Sequence, residues 1–373
     1  MIKINWFSEE VRNSYFAKMQ KFLPKSIVWY GDSADPQNPY RIDTYTLLCG
    51  TKSEVFKCAN IDLYFSLRMA IDLKKKGDRA AAKKEFNELI SDNPSFFINY
   101  TSSYCDTLKS VTNLSDKIEA DLDKAIDDLL DVVFPNNKKD KLKSLYDLID
   151  TETRSWLMNS LDVDCCPYCN RQYITSLNDV PGKNYPISTA DLDHFYNKSI
   201  FPLFALSLFN FVPSCQVCNS RVKGKRWLDA VYPYDDEFGD SAVFTIDYSI
   251  MPKDKCQEAL TALEPVPVPL DISVQTSDMQ LKQRIENSMD LFRILQVYQS
   301  HQKYAGELLW KKHLYSDPAY IESLKNTFSS VKEFEITEQS LNLFLYGYRL
   351  DKEHKYDKDR PLSKLTYDLV LRK

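Results

Sequence analysis

The chain is poor in glycine, with 8 in 373 residues. That scarcity argues against a sheet protein built on glycine turns. No apolar stretch is long enough to span a membrane. The segment Met1-Ile-Lys-Ile-Asn-Trp6 carries no apolar run of a secretory leader. An excess of positive charge is also missing: 48 Lys and Arg stand against 53 Asp and Glu, a net of −5. A nucleic-acid-binding face, if there is one, must therefore be local. These absences predict a soluble, cytoplasmic protein with no membrane association.

What is present is cysteine, tyrosine and phenylalanine. Nine cysteines are an odd number, and four of them form two Cys-x-x-Cys pairs, Cys166/Cys169 and Cys215/Cys218. Cys49, Cys58, Cys105, Cys165 and Cys256 are scattered. That usage fits thiols that bind metal or pack as small hydrophobes in a reducing compartment, not a disulfide framework.

The length allows two or three domains of roughly 100–200 residues. Residues 1–158 read as an N-terminal helical domain. Trp6, Val11, Tyr15, Phe16, Met19 and Phe22 recur at helical spacing, with Ser8 as N-cap and Pro24 as stop. Ile61–Lys76 and Asp78–Ile90 form two further periodic runs. They resemble one tetratricopeptide-type hairpin or an ordinary helical hairpin; there is no second copy. Lys117–Phe134 and Leu142–Leu157 continue the helices. Residues 159–235 lose the helical period, with short strands expected at Tyr173-Ile174 and Ala190–Leu192. Residues 236–373 are mostly helical, after a strand at Ala242–Tyr248 and a proline-rich connector at Glu264–Leu270. The expected fold class is mainly α, with a small α+β core near the middle.

Each cysteine pair places two thiolates in one tight turn, and two such pairs complete a tetrahedral zinc site. Cys165 is out of spacing with Cys169, so Cys166 is the expected ligand. The alternative is two unrelated pairs of buried or redox cysteines. Between the pairs lies Asp191-Leu-Asp193-His194-Phe195. A neutral imidazole, with a reference pKa near 6.5, suits a general base on water. Asp and Asn oxygens suit Mg²⁺ or Mn²⁺. Asn219 and Lys223, at i and i+4, share a face if a helix starts near Gln216. Asp193 and His194 converge only if their strand ends or twists there, because successive strand residues face opposite ways. Asp191 alternates with Asp193 and is either a second acidic group or a solvated strand residue. Arg221, Lys223, Lys225 and Arg226 form a basic run suited to phosphate contacts. Trp227 beside them either stacks on a base or packs.

The pattern Cys-x-x-Cys, Asp193-His194-Phe195, Asn210-(x)₄-Cys-x-x-Cys-Asn219 and a trailing lysine resembles the HNH, or ββα-metal, endonucleases. The resemblance covers roughly residues 160–235. It implies that His194 is the general base and that Asp193 and Asn219 hold one catalytic Mg²⁺ or Mn²⁺. By the same resemblance Asn210 orients the histidine loop, and Cys166, Cys169, Cys215 and Cys218 bind a structural zinc. The usual Asn-Leu dipeptide is Asn210-Phe211 here, and the insert before Asp193 is long. The wording Asp-His-Phe-Tyr-Asn-Lys-Ser is similar to HNH proteins of bacterial anti-phage systems such as the Septu type, which work with an ATPase. The implied substrate is DNA; RNA cleavage by the same site and an inactive zinc-stapled adaptor for nucleic acid or protein are the alternatives. The N-terminal helices are the expected docking surface for an ATPase or another defence-system protein.

Overall fold

The computed structural model describes residues 1–28, 41–58, 77–78, 80–82, 84, 88, 145–177, 187–262, 264–329 and 337–372. Most of the expected hairpin over 61–90, and all of the helix Lys117–Phe134, lie outside the described residues; 80–82, 84 and 88 are helical. About half of the described chain is helical, with small two-stranded sheets. It divides into two compact units, each built from separated segments. One comprises Phe7–Leu157 and His194–Val212; the other comprises Met1–Trp6, Met158–Asp193 and Pro213–Lys373. A boundary thus falls near residue 158, where composition changes. None falls near 235: residues 236–373 share a unit with most of 159–235.

In the first, helical unit, α1 (Glu9–Met19) is capped by Ser8, whose hydroxyl accepts from Val11 N at 3.3 Å. It is followed by a two-stranded antiparallel sheet, β1 (Ser26–Val28) with β2 (Arg41–Asp43). Asp43 then caps α2 (Thr44–Cys49), and Thr51 and Glu54 form a reciprocal capping box on α3 (Lys52–Phe56). These side chains satisfy first-turn N–H groups that a short helix leaves unpaired. α4 (Thr151–Asn159) completes the described helices of this unit. Its core is aromatic: Phe56 packs against Tyr196, Phe204 and Phe209 with ring centroids 5.9–6.0 Å apart. The Tyr15 hydroxyl donates to Leu206 O at 2.8 Å, which satisfies a phenol that is fully buried.

In the second, cysteine-bearing unit, β3 (Ser176–Leu177) pairs antiparallel with β4 (Ile187–Ser188). β5 (Ala190–His194) pairs with β6 (Phe211–Cys215), and the division between units falls inside both strands. β7 (Ala242–Ile246) pairs with β8 (Leu270–Val274) in register Phe244 to Ile272. α5 (Lys253–Leu260) falls between these two strands in the sequence. α6 (Met279–Leu291) is capped by Asp278, which accepts from Gln280 N and Leu281 N. α7 (Ile294–Tyr298), α8 (Gln302–Leu314), α9 (Pro318–Ser329), α10 (Glu338–Tyr346) and α11 (Ser363–Leu371) follow. Gly306 on α8 is required by close approach: a Cβ there would lie 1.8 Å from Val266 O. The proline-rich connector is thereby laid directly on the helix, and Val268 N donates to Gln302 O at 3.1 Å. Among the described residues no helix is long and apolar enough to cross a membrane.

Candidate functional site

Cys166, Cys169, Cys215 and Cys218 are all buried, and their sulfurs lie within 4.8 Å of one another. Cys169 and Cys215 sulfurs are 3.9 Å apart, far beyond a disulfide bond of about 2.05 Å. A tetrahedral zinc with Zn–S of about 2.3 Å separates its sulfurs by about 3.8 Å, so the donor set fits that ion. The neighbouring thiols hydrogen-bond to Cys215 and hold its pKa well below the usual thiol range. Burial pushes the Cys166 thiol above the usual range and hydrogen bonds to its neighbours do the same for Cys218, so charge gathers on Cys215. Cys165 stays outside the group; its sulfur faces Asp357 O and Lys358 O at 3.3 and 3.2 Å.

The turn Cys166–Asn170 is fastened by distant parts of the same unit. Ile2 N donates to Pro167 O, Tyr298 hydroxyl to Cys169 O at 2.7 Å, and Leu362 N to Asn170 O at 2.5 Å. Asn170 is buried with φ 49°, a left-handed conformation that Asn tolerates better than most residues. Its amide donates to Asp357 O at 2.8 Å and accepts from Ser363 Oγ and Lys364 N, both at 3.1 Å. This role was missed from sequence, although a signal existed: each Cys-x-x-Cys pair is followed directly by Asn, at 170 and at 219.

The other residue of this turn with a site role is Tyr168, between the two cysteines. Its ring stacks on Phe292 at 4.2 Å, and its hydroxyl donates to Asp193 Oδ2 at 2.8 Å. Asp193 is also the partner of Lys223, whose Nζ lies 2.8 Å from Oδ1 and 2.6 Å from Oδ2. Both side chains are buried, 5% and 2% exposed respectively. Burial pushes the Asp193 carboxyl above its ordinary range, while the Lys223 ammonium and the Tyr168 hydroxyl pull against that shift. The basic run is therefore not one face. Lys223 points inward to a carboxylate instead of meeting a phosphate. Arg226 pairs with Asp290, Trp227 is buried as packing, and Arg221 and Lys225 are exposed.

Lys223 and Asn219 sit on a π-helical turn, Val217–Lys223, closed by Gly224 N to Asn219 O at 2.9 Å. Such turns are rare and occur often at functional sites. Asn219 Nδ2 donates to Asp191 Oδ2 at 2.9 Å, joined by Ser220 Oγ at 3.3 Å. Asp191 is thus a paired residue and not merely solvated. Because an ionised carboxylate only accepts, the pairing turns the Asn219 amide nitrogen to Asp191 and its Oδ1 away. The two acids two residues apart on β5 thus meet the two polar residues four apart on the turn: Asp191 with Asn219, Asp193 with Lys223.

In the helical unit, β5 ends at His194. His194 Nε2 lies 2.9 Å from Ala205 O. A carbonyl only accepts, so Nε2 carries a proton; in the neutral tautomer this leaves the lone pair on Nδ1. The ring is 8% exposed and meets Tyr146 and Phe211 edge-on at 4.8 and 5.3 Å. Asn210, fully buried, fastens the chain that follows: Oδ1 accepts from Tyr196 N at 2.6 Å, and Nδ2 donates to Tyr196 O and Phe204 O at 3.0 Å. Phe195 N donates to Asn210 O at 2.8 Å.

No family model, no curated protein and no solved structure matches this chain.

Proposed function

We propose that this protein is a metal-dependent endonuclease of the HNH type, hydrolysing a nucleic-acid phosphodiester, with DNA as the first-choice substrate. The observation that carries the reading is the pair of buried polar side chains at the end of β5. They are Asp193, held by Tyr168 and Lys223, and His194, whose tautomer is set by the Ala205 carbonyl. The order strand, strand, helical turn around a four-cysteine group is what the resemblance implies for a ββα-metal core.

In this reading His194 Nδ1 takes a proton from water, and the water oxygen attacks phosphorus as the leaving oxygen departs in line. Ala205 O steadies the imidazolium that forms by accepting from Nε2. Asn210 keeps the loop carrying that carbonyl in place through its bonds to Tyr196 and Phe204. Asp193 and Asn219 offer oxygen ligands of the type Mg²⁺ and Mn²⁺ prefer, and such an ion would neutralise charge on the scissile phosphate. Asp191 orients the Asn219 amide for that purpose. The four cysteines hold zinc as a structural ion.

A second reading has one observation in its favour. Lys223 already neutralises Asp193 inside the protein, as expected of an inactive, zinc-stapled adaptor. Plasmid, single-stranded DNA and total RNA, each incubated with Mg²⁺ or Mn²⁺ and with EDTA, separate the readings. Ion-dependent cleavage that falls by roughly 10²–10⁴ in His194→Ala supports the nuclease; RNA-only cleavage moves the substrate class. No cleavage of any substrate with either ion leaves the adaptor. The place in a defence system beside an ATPase rests on the resemblance alone. Pull-down from native extract tests it, with full-length protein set against a form starting at Leu161.

A further inference from the structure

Of the expected basic run, Lys223 is buried against Asp193 and Arg226 pairs with Asp290, while Arg221 and Lys225 are exposed. A different pair of cations lies within the helical unit, on the tyrosine that touches His194. Tyr146 sits in a 3₁₀ turn at Leu145–Leu148 and meets the His194 ring edge-on at 4.8 Å. Lys198 Nζ lies 4.7 Å from the centre of the same Tyr146 ring, and the Arg154 guanidinium carbon lies 4.1 Å from it. Two segments distant in sequence, 146–154 and 194–198, thus bring a base, an aromatic ring and two cations together.

The chemistry of that cluster points to an anion. A ring face attracts a cation without using any N–H donor, so the donors remain available to oxygens. Arg154 Nη2 donates to Tyr146 O at 3.2 Å, which fixes the fork. Its Nε is buried with no hydrogen-bond partner, a costly state unless a ligand oxygen satisfies it. Burial is the main cause, with the Arg154 charge also contributing, of a Lys198 pKa below the usual range; Asp147 acts against both. The two cations repel each other, as the lowering of the Lys198 pKa by Arg154 shows, and an anion within reach of both relieves that repulsion.

We propose that Arg154 and Lys198, seated on Tyr146, form the site for backbone phosphates of the strand that His194 cleaves. The proposal rests on the nuclease reading of His194, and its test is separable from that reading. Fluorescence anisotropy of full-length protein with a labelled duplex and a labelled single strand, with no Mg²⁺ or Mn²⁺ added, measures affinity against salt. Removing one cation from a phosphate should lower the log–log salt slope by about 0.9 on duplex and about 0.7 on single strand. Arg154→Gln and Lys198→Gln should each show that drop, with roughly tenfold weaker binding, while Lys198→Arg keeps the wild-type slope. A merely structural role for these side chains would alter unfolding midpoints without changing the slope. Unchanged slopes in both folded Gln variants, or no binding of either probe by wild-type protein, overturn the proposal, whether or not cleavage is found. Lowered slopes in a protein that cleaves nothing leave this phosphate site standing and remove the catalytic reading alone.

Discussion

Replacing Lys223 with Met keeps the buried stem and deletes the charge. Asp193 then retains the Tyr168 hydroxyl at 2.8 Å but loses the ammonium that contacts both its oxygens. Breaking one side of a buried pair costs about 3–5 kcal/mol. The folded variant limits that cost by protonating Asp193. With an ordinary carboxyl pKa of about 3.9, protonation at pH 7 is about three units uphill, or about 4 kcal/mol; at pH 5 it is about 1.5 kcal/mol. In the variant the folded state holds a proton that the unfolded state releases, so its stability relative to wild type improves as pH falls. Urea unfolding at both pH values should show a deficit of about 3–4 kcal/mol at pH 7, shrinking to about 1.5 kcal/mol at pH 5. If Asp193 is an ion ligand, Mn²⁺ at about 100 times its dissociation constant should restore about 2.7 kcal/mol at pH 7. A deficit under about 1 kcal/mol at pH 7, or one equal at the two pH values, would refute the assignment of Lys223 as the internal counter-charge.

Wild-type protein purified without chelator should hold about one zinc per chain by metal analysis, and Cys215→Ser should lose it with a lower unfolding midpoint. A metal-free wild type would remove the zinc assignment. Asn210→Ala strips three hydrogen bonds from a fully buried loop anchor and should destabilise by about 3 kcal/mol while leaving zinc content unchanged. Loss of zinc together with stability would mean that the anchor serves the tetrad instead. Burial pushes His354 down, but its hydrogen bond to Asp357 and that charge outweigh burial, and the net pKa is raised. Its contribution to stability is therefore complete below about pH 6.5 and is lost as pH rises through the folded value. The difference in unfolding free energy between wild type and His354→Gln should be largest near pH 6 and shrink toward pH 9; a difference that grows with pH would contradict this.

Several features could be read from the sequence because they depend on near neighbours. Ser8 before an apolar period and the two Cys-x-x-Cys turns each carry their geometry within a few residues. Cys166 could be separated from Cys165 by spacing alone. The strand at Ala242 follows from alternation in the same way. Other features depended on which distant segment arrives. Composition marked 159–235 as its own region, yet residues 194–212 pack with the helical unit and the remainder with 236–373. Lys223 looks like any lysine in a basic run until Asp193 is placed 2.6 Å away. Trp227 was open between stacking and packing until its burial decided it. Arg154 and Tyr146 carried no signal, since their meeting with His194 and Lys198 spans some forty to fifty residues, as the ranges 146–154 and 194–198 show. The sequence by itself therefore determined the ligand turns, the caps and the local periods, which are set by covalent spacing and adjacent hydrogen bonds. The tertiary structure alone decided which charges are buried, which are paired and which stand beside His194, because burial and counter-charge are properties of the neighbours that folding supplies.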